Sequence, residues 1–514
     1  MKIHFKPTPH PNPLPIRGEG SVAPELAWGI IATLIALFLA LFFSVEIGLY
    51  ALGFAIAAWW VWESPEESFL ILIILAPLLP LLKATQTLGN TTLIKDVIII
   101  MLFLKTFLAP LLEQRLPYRK NLLFAPIVAL VGWSLFEVIQ GGSTLAILRL
   151  REIVLYILLY FGVLYLPHTK QIMRTRTIVF LITLGIVMLL GIFQFYFAPD
   201  STVLRFDPVR QIWIPRMAST FGHPTVFAEY LITGAMLIAG LLLSDRVIPG
   251  LTRNPRRKIS LGVLLCASII LIYFTYTRAA WIGFAGGVVA VGVAYFLPSY
   301  EGRRGGVVAA LATPSHSPLY KGEKSRLLFI ILIPLIAFTI GIFHFTPVGT
   351  FLRTAIDPSY ASNADRIAFV VQLVSETSNA DVLVGKGLGN VVTELRKGGD
   401  VSAVDIASGD SRTVQLSKDS TLVDNQYLKT FMEMGVVGIV FTFWLFWRFF
   451  LAAREASPAL RILGIGFLVS FMIQALFVDI WDVFPTNAIF WTLAALISSG
   501  SPGQACLPVR QARG

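Results

Sequence analysis

The sequence predicts an all-α membrane protein with about 12–14 transmembrane helices and one large extramembrane cap. Three observations carry this expectation. The 514 residues are 56% hydrophobic and only 14% charged, whereas a soluble domain runs near ~25% charged. Apolar runs of 17 to 22 residues recur from end to end, each long enough to cross a hydrocarbon core of about 30 Å as a helix. One polar stretch, 346–425, interrupts an otherwise loop-poor chain.

In lipid every backbone N–H and C=O must be satisfied within its own segment, so the apolar runs are expected to be helices. Fourteen spans are expected, near 26–44, 45–62, 68–83, 96–113, 121–139, 146–167, 177–198, 224–244, 260–276, 281–298, 327–345, 427–451, 461–479 and 483–498. The third carries Pro77 and Pro80, which weaken a helix. The first two touch with almost no loop and need a tight hairpin.

Orientation follows from the basic loops. Residues 114–120, 168–176, 245–259 and 299–326 hold clusters of Lys and Arg, and all fall on one side of the fourteen-span arrangement. Basic loops are retained in the cytoplasm, which puts both termini inside. The expected organisation is a cytoplasmic tail (1–25), N-terminal helices (26–345), an outer cap (346–425), C-terminal helices (426–498) and a second cytoplasmic tail (499–514). The first 25 residues are polar and proline-rich, unlike a cleavable signal peptide. The segments TPHPNPLPIRGEG, PGLTRNPRRK and TPSHSPLYKGEK share a flavour and read as tolerated insertions in inner loops.

The net charge of +11 would suggest nucleic acid in a soluble protein. Here it serves topology, and no nucleic-acid partner is expected. Cys266 and Cys506 offer no disulfide framework, and the six histidines are scattered. No metal-ligand or nucleotide-loop pattern occurs, so neither metal nor cofactor is expected.

Arginine on the outer side is the most informative feature. The loop 199–223 holds Arg205, Arg210 and Arg216, the turn in YTRAAW holds Arg278, and the cap holds Arg353 and Arg366. Singly, each could pair with an outer carboxylate or snorkel to headgroups. As a set they suit a polyanionic ligand, since guanidinium forks bind phosphate oxygens in pairs. The segment PRMASTFGHPTVFAEY sets Arg216 near a helix start at Pro224, an arrangement that favours anions. His223 there is either a ligand or base, or a capping residue. VGKGLGN (384–390) lacks nucleotide-fingerprint spacing and reads as a tight turn. Asp424 and Asn425 precede the twelfth span. Both suit an N-cap, and an ionised carboxylate there could also accept a proton from a sugar hydroxyl.

Four segments in order resemble the O-antigen ligase and polysaccharide polymerase family. They are PRMASTFGHPTVFAEYL (215–231), YTRAAWIGFAGG (276–287), ADRIAFVVQLV…VLVGKGLGN (364–390) and DNQYLKTFMEMGVVG (424–438), with Gly435 and Gly438 as the final glycine pair. The resemblance spans roughly 200–450. It implies a C-type glycosyltransferase-like membrane fold in a bacterial inner membrane, with the active site facing the periplasm. It implies metal-independent, inverting transfer of a glycan carried on undecaprenyl pyrophosphate, with membrane lipid and a chain-length regulator as further partners. Arg216 and Arg278 would hold the pyrophosphate, Arg366 would face the same cavity from the cap, and Asn425 and His223 would line it. Asp424, the expected catalytic base, stands where ligases typically place a histidine. That departure tilts the reading toward polymerisation of O-antigen or exopolysaccharide repeat units. A ligase acting on a lipid A-core or protein acceptor, and a polysaccharide or lipid transporter, stay open as alternatives.

Overall fold

The computed structural model describes residues 45–84, 92–114, 121–142, 144–198, 203–207, 212–243, 255–296, 378–389, 401–405, 410–414, 425–481 and 483–499. The expected spans 26–44 and 327–345 lie outside them, as do TPHPNPLPIRGEG, TPSHSPLYKGEK and most of the expected cap. Of PGLTRNPRRK, read as a loop insertion, Pro255–Lys258 instead form the start of the helix Pro255–Phe274. Every other expected span is helical.

The chain forms two units. The first contributes a single described helix, α1 (Val45–Glu63), apolar on all sides. The second begins with α2 (Pro65–Ala84) and α3 (Thr92–Phe103); α3 runs on through a π-helical turn (Leu104–Leu108) into a last turn (Ala109–Leu112). Then follow α4 (Phe124–Gly141), α5 (Thr144–Leu164) and α6 (Lys170–Phe197). A hairpin of β1 (Val203–Asp207) and β2 (Ile212–Arg216) leads through a 3-10 turn (Ser219–Phe221) to α7 (Pro224–Leu243), α8 (Pro255–Phe274) and α9 (Arg278–Phe296). A short α10 (Asn379–Val384) and a second hairpin, β3 (Val401–Asp405) with β4 (Asp410–Val414), precede α11 (Gln426–Glu455), α12 (Pro458–Gln474) and α13 (Thr486–Ser499).

Among the described residues five helices are long and apolar enough to cross a membrane: Pro65–Leu82 within α2, α6, α7, α8 and α11. Shorter apolar helices accompany them. The prolines of α2 do not break it. Beside them Thr220 Oγ1 donates to the Pro77 carbonyl at 2.6 Å, tying the helix to the 3-10 turn.

Two departures from expectation have clear physical causes. The all-α reading omits both β-hairpins. Each pairs five residues antiparallel, Val203↔Arg216 through Asp207↔Ile212 and Val401↔Val414 through Asp405↔Asp410. Cross-strand pairing is non-local and leaves no helical periodicity to read. The second departure is the end of α12, expected near 479 but reached at Gln474. The chain then leaves the helix until Thr486, and the freed backbone groups find protein partners. Ala475 O accepts from Gln426 N–H (2.9 Å), and Trp481 N–H donates to Gln426 Oε1 (2.9 Å). Irregular backbone at membrane depth persists only where protein satisfies it in this way.

Small residues set the tightest helix contact. A Cβ on Gly287 of α9 would lie 2.9 Å from the Gly466 carbonyl of α12, and one on Gly283 would lie 2.6 Å from Gln474 Cγ. Without a hydrophobic drive between helices in lipid, such close backbone approach is what joins them. Elsewhere α2, α5, α6, α7, α12 and α13 surround an apolar cavity of about 130 Å³, with Phe69, Leu159, Phe180, Leu237, Leu463 and Leu493 in its wall.

Candidate functional site

The first hairpin delivers Arg216 to the turn between α8 and α9. Its Nε donates to the Thr275 carbonyl (3.0 Å), and Nη2 donates to Thr277 Oγ1 (2.8 Å). The next residue repeats the attachment, with Met217 N–H donating to Phe274 O (3.0 Å). Arg278 opens α9 directly after this turn and is buried. Two arginines distant in sequence are therefore anchored to one turn. Within it Tyr276 adopts φ +47°, a left-handed conformation that non-glycine residues rarely take and that marks a constrained segment.

His223 sits exposed just before Pro224, and its Nδ1 accepts from Thr225 N–H at 3.4 Å. The side chain thus caps α7, the second of the two roles expected for it, with Nδ1 as the acceptor atom. Asn425 is the N-cap of α11, its Oδ1 accepting from Leu428 N–H at 3.0 Å. Arg366 and Asp424 lie outside the described residues, as does Arg353. α12 touches both α9 and the start of α11: Gly283 abuts Gln474, and the following Ala475 carbonyl accepts from Gln426 N–H.

The glycine motifs at 385–389 and 435–438, read separately in the sequence, form one joint. Gly435 breaks α11 with φ +65°, and Gly385 sits at φ +94°. A Cβ on Gly435 would meet the Leu383 carbonyl at 2.2 Å, and one on Gly385 would meet the Glu433 carbonyl at 2.5 Å. Only glycine permits both the angle and the approach. The carbonyls released by the break are taken up: Lys386 N–H donates to Met432 O (2.8 Å) and Trp133 Nε1 donates to Met434 O (3.0 Å). The kink thus has the identifiable cause that sharp helix bends require.

Ionisable groups within the helices, most of them buried, were passed over by the loop-centred reading. Glu433 Oε1 accepts from Gly389 N–H (3.2 Å) and lies 3.9 Å from Arg149 Nε. Arg149 Nη1 also reaches Glu152 at 3.4 Å. Lys429 pairs with Asp479, while Asp96 pairs with both Lys95 and Arg151. The signal was available: charged residues inside apolar runs default to a functional expectation. What the sequence does not show is that they meet. A polar cavity of about 40 Å³ opens among Arg149, Glu152, Gln426, Glu433, Trp481 and Asn487. Among the described residues, no group of three or more His, Cys, Asp or Glu could hold a metal ion.

A family model described as O-antigen ligase matches residues 262–443. The match takes in Arg278, Arg366, Asp424, Asn425 and the glycine joint, and begins after Arg216 and His223. No curated protein matches the chain at a significant level. With five helices among the described residues long and apolar enough to cross a bilayer, the chain is a multi-pass membrane protein whose residues 262–443 are similar to the O-antigen ligase family.

Proposed function

We propose that this chain polymerises polysaccharide repeat units by transferring glycan from undecaprenyl pyrophosphate at the periplasmic face of the inner membrane. The observation that supports it most is the attachment of Arg216 and Arg278 to one turn, with α12 packed against both α9 and the start of α11. In this reading Asp424 takes the proton from an acceptor hydroxyl. The hydroxyl oxygen bonds to the anomeric carbon, and the bond from that carbon to the pyrophosphate oxygen breaks with inversion. The lipid pyrophosphate leaves carrying the charge. Arg216 and Arg278 stabilise it, with Arg366 adding a third guanidinium from the cap. Preorganised cations aimed at developing charge are the largest single contribution such a site makes. Asn425 and His223 shape the helix starts beside it.

Replacing Arg216, Arg278 or Asp424 by Ala should abolish long polymer while protein level stays normal, as read by gel electrophoresis of the surface glycan. Wild-type polymer length in all three variants would overturn the reading. The family match to a ligase description supports a second reading, transfer of finished glycan to a lipid or protein acceptor. A deletion strain separates the two: normal-length glycan retained on undecaprenyl pyrophosphate in a lipid extract favours the ligase. Vesicle flux of glycan without covalent change would instead favour a transporter.

A further inference from the structure

We propose that the polar cavity beside the start of α11 is a subsite for the hydroxyl-bearing edge of a neutral sugar. The proposal rests on the glycan-transfer reading and names where that site would grip the glycan.

Charge excludes an anion. Arg149 stands between two carboxylates, 3.4 Å from Glu152 and 3.9 Å from Glu433. One cation against two anions repels phosphate and favours groups that donate hydrogen bonds to carboxylate oxygens. The α8–α9 turn offers the opposite, two guanidinium groups. The molecule thus separates a phosphate-seeking surface from a donor-seeking one.

Two orphaned atoms specify the donor more closely. Asn487 is 4% exposed, and its Nδ2 donates to the Trp481 carbonyl at 2.7 Å. That bond fixes the orientation of the amide and leaves Oδ1, an acceptor, buried with no partner among the described residues. Trp481 Nε1, a donor, is also buried and unpartnered among them. Both residues line the cavity. Buried polar groups without partners call for a specific explanation. A hydroxyl can partner either kind of atom, since it accepts one bond and donates another.

Size and shape narrow the choice. A cavity of about 40 Å³ has room for roughly three water-sized groups. That suits one edge of a sugar with its hydroxyl or hydroxymethyl group and excludes a whole ring. The indoles of Trp481 and Trp491 offer apolar surfaces next to the polar ones, as an amphipathic ligand requires. Gln426, in the same wall, directly follows the N-cap Asn425.

The test uses the full chain purified in detergent, titrated calorimetrically with methyl glycosides of glucose, galactose, mannose and N-acetylglucosamine, and with inorganic pyrophosphate. At least one glycoside should bind at millimolar concentration without competition from pyrophosphate. Trp481→Phe, which removes only the N–H, and Asn487→Leu should each weaken that binding about tenfold or more. Loss in Trp481→Phe suffices if Asn487→Leu fails to fold. If no glycoside binds, or binding survives in Trp481→Phe, the cavity holds water only and the proposal is overturned. A chain that polymerises glycan but binds none of the probes sinks this proposal alone; one that binds them here but transfers nothing sinks the transfer reading alone.

Discussion

Two cavities among the described helices are built in opposite ways. The apolar one, about 130 Å³, is walled by side chains of six helices. The polar one, about 40 Å³, is walled by helix starts, a helix break and the irregular chain between α12 and α13. The difference follows from the solvent. An unbroken helix in lipid has already used its backbone polar groups, so it presents only side chains, and those are mostly apolar. A polar wall needs a helix end, a kink or non-helical chain, where N–H and C=O groups and the side chains that satisfy them come together. Here that place is Gly435 against Gly385, with Glu433 and Trp481 close by in the same wall.

The most severe way to break the comparison is to remove the joint. Gly435→Ala forces a Cβ toward the Leu383 carbonyl at a positive φ. A loss of about 3 kcal/mol or more is expected, read as a large drop in melting temperature; a variant as stable as the parent would mean that the kink is not needed. Next comes the charged turn. Arg278→Ala should lower transfer by ~100- to 1000-fold with little change in stability, measured as polymer formed by equal amounts of membrane protein.

Glu433→Gln sharpens the comparison at intermediate size. The amide can still accept from Gly389 N–H but no longer balances Arg149. Removing one partner of a buried pair costs ~3–5 kcal/mol, less here because Glu152 remains beside the arginine. Denaturation of the purified chain should show about 1–3 kcal/mol; no change would mean that the pair contributes nothing to the joint. Smallest of all is Thr233→Val in the apolar wall. Its hydroxyl only back-bonds to the Glu229 carbonyl within α7, so stability should move by less than about 1 kcal/mol and polymer length should stay at the parental value.

How much was legible varies with the physics behind each feature. The helices α2 through α9 and α11 were readable because each is a local apolar run. The tight turn at 384–390 was readable because alternating glycines have few other uses. Arg216 and Arg278 stood out as guanidinium groups in short loops expected on the outer side, where basic residues should be few. The β1–β2 hairpin was hidden, because Val203↔Arg216 pairing has no local period. The pairs Lys429–Asp479 and Arg149–Glu433 were hidden differently. Their charges were visible, but each partner lies on another element.

By itself the sequence determined that this chain is built of many apolar helices and which residues carry unusual charge. Hydropathy and charge act residue by residue, so they can be read along a line. The tertiary structure alone decided that one turn gathers two arginines, that two glycine motifs interlock, and that an acidic, indole-lined cavity forms where α11 begins. Those outcomes depend on which helices approach closely enough for backbones to touch, and close approach is a property of pairs.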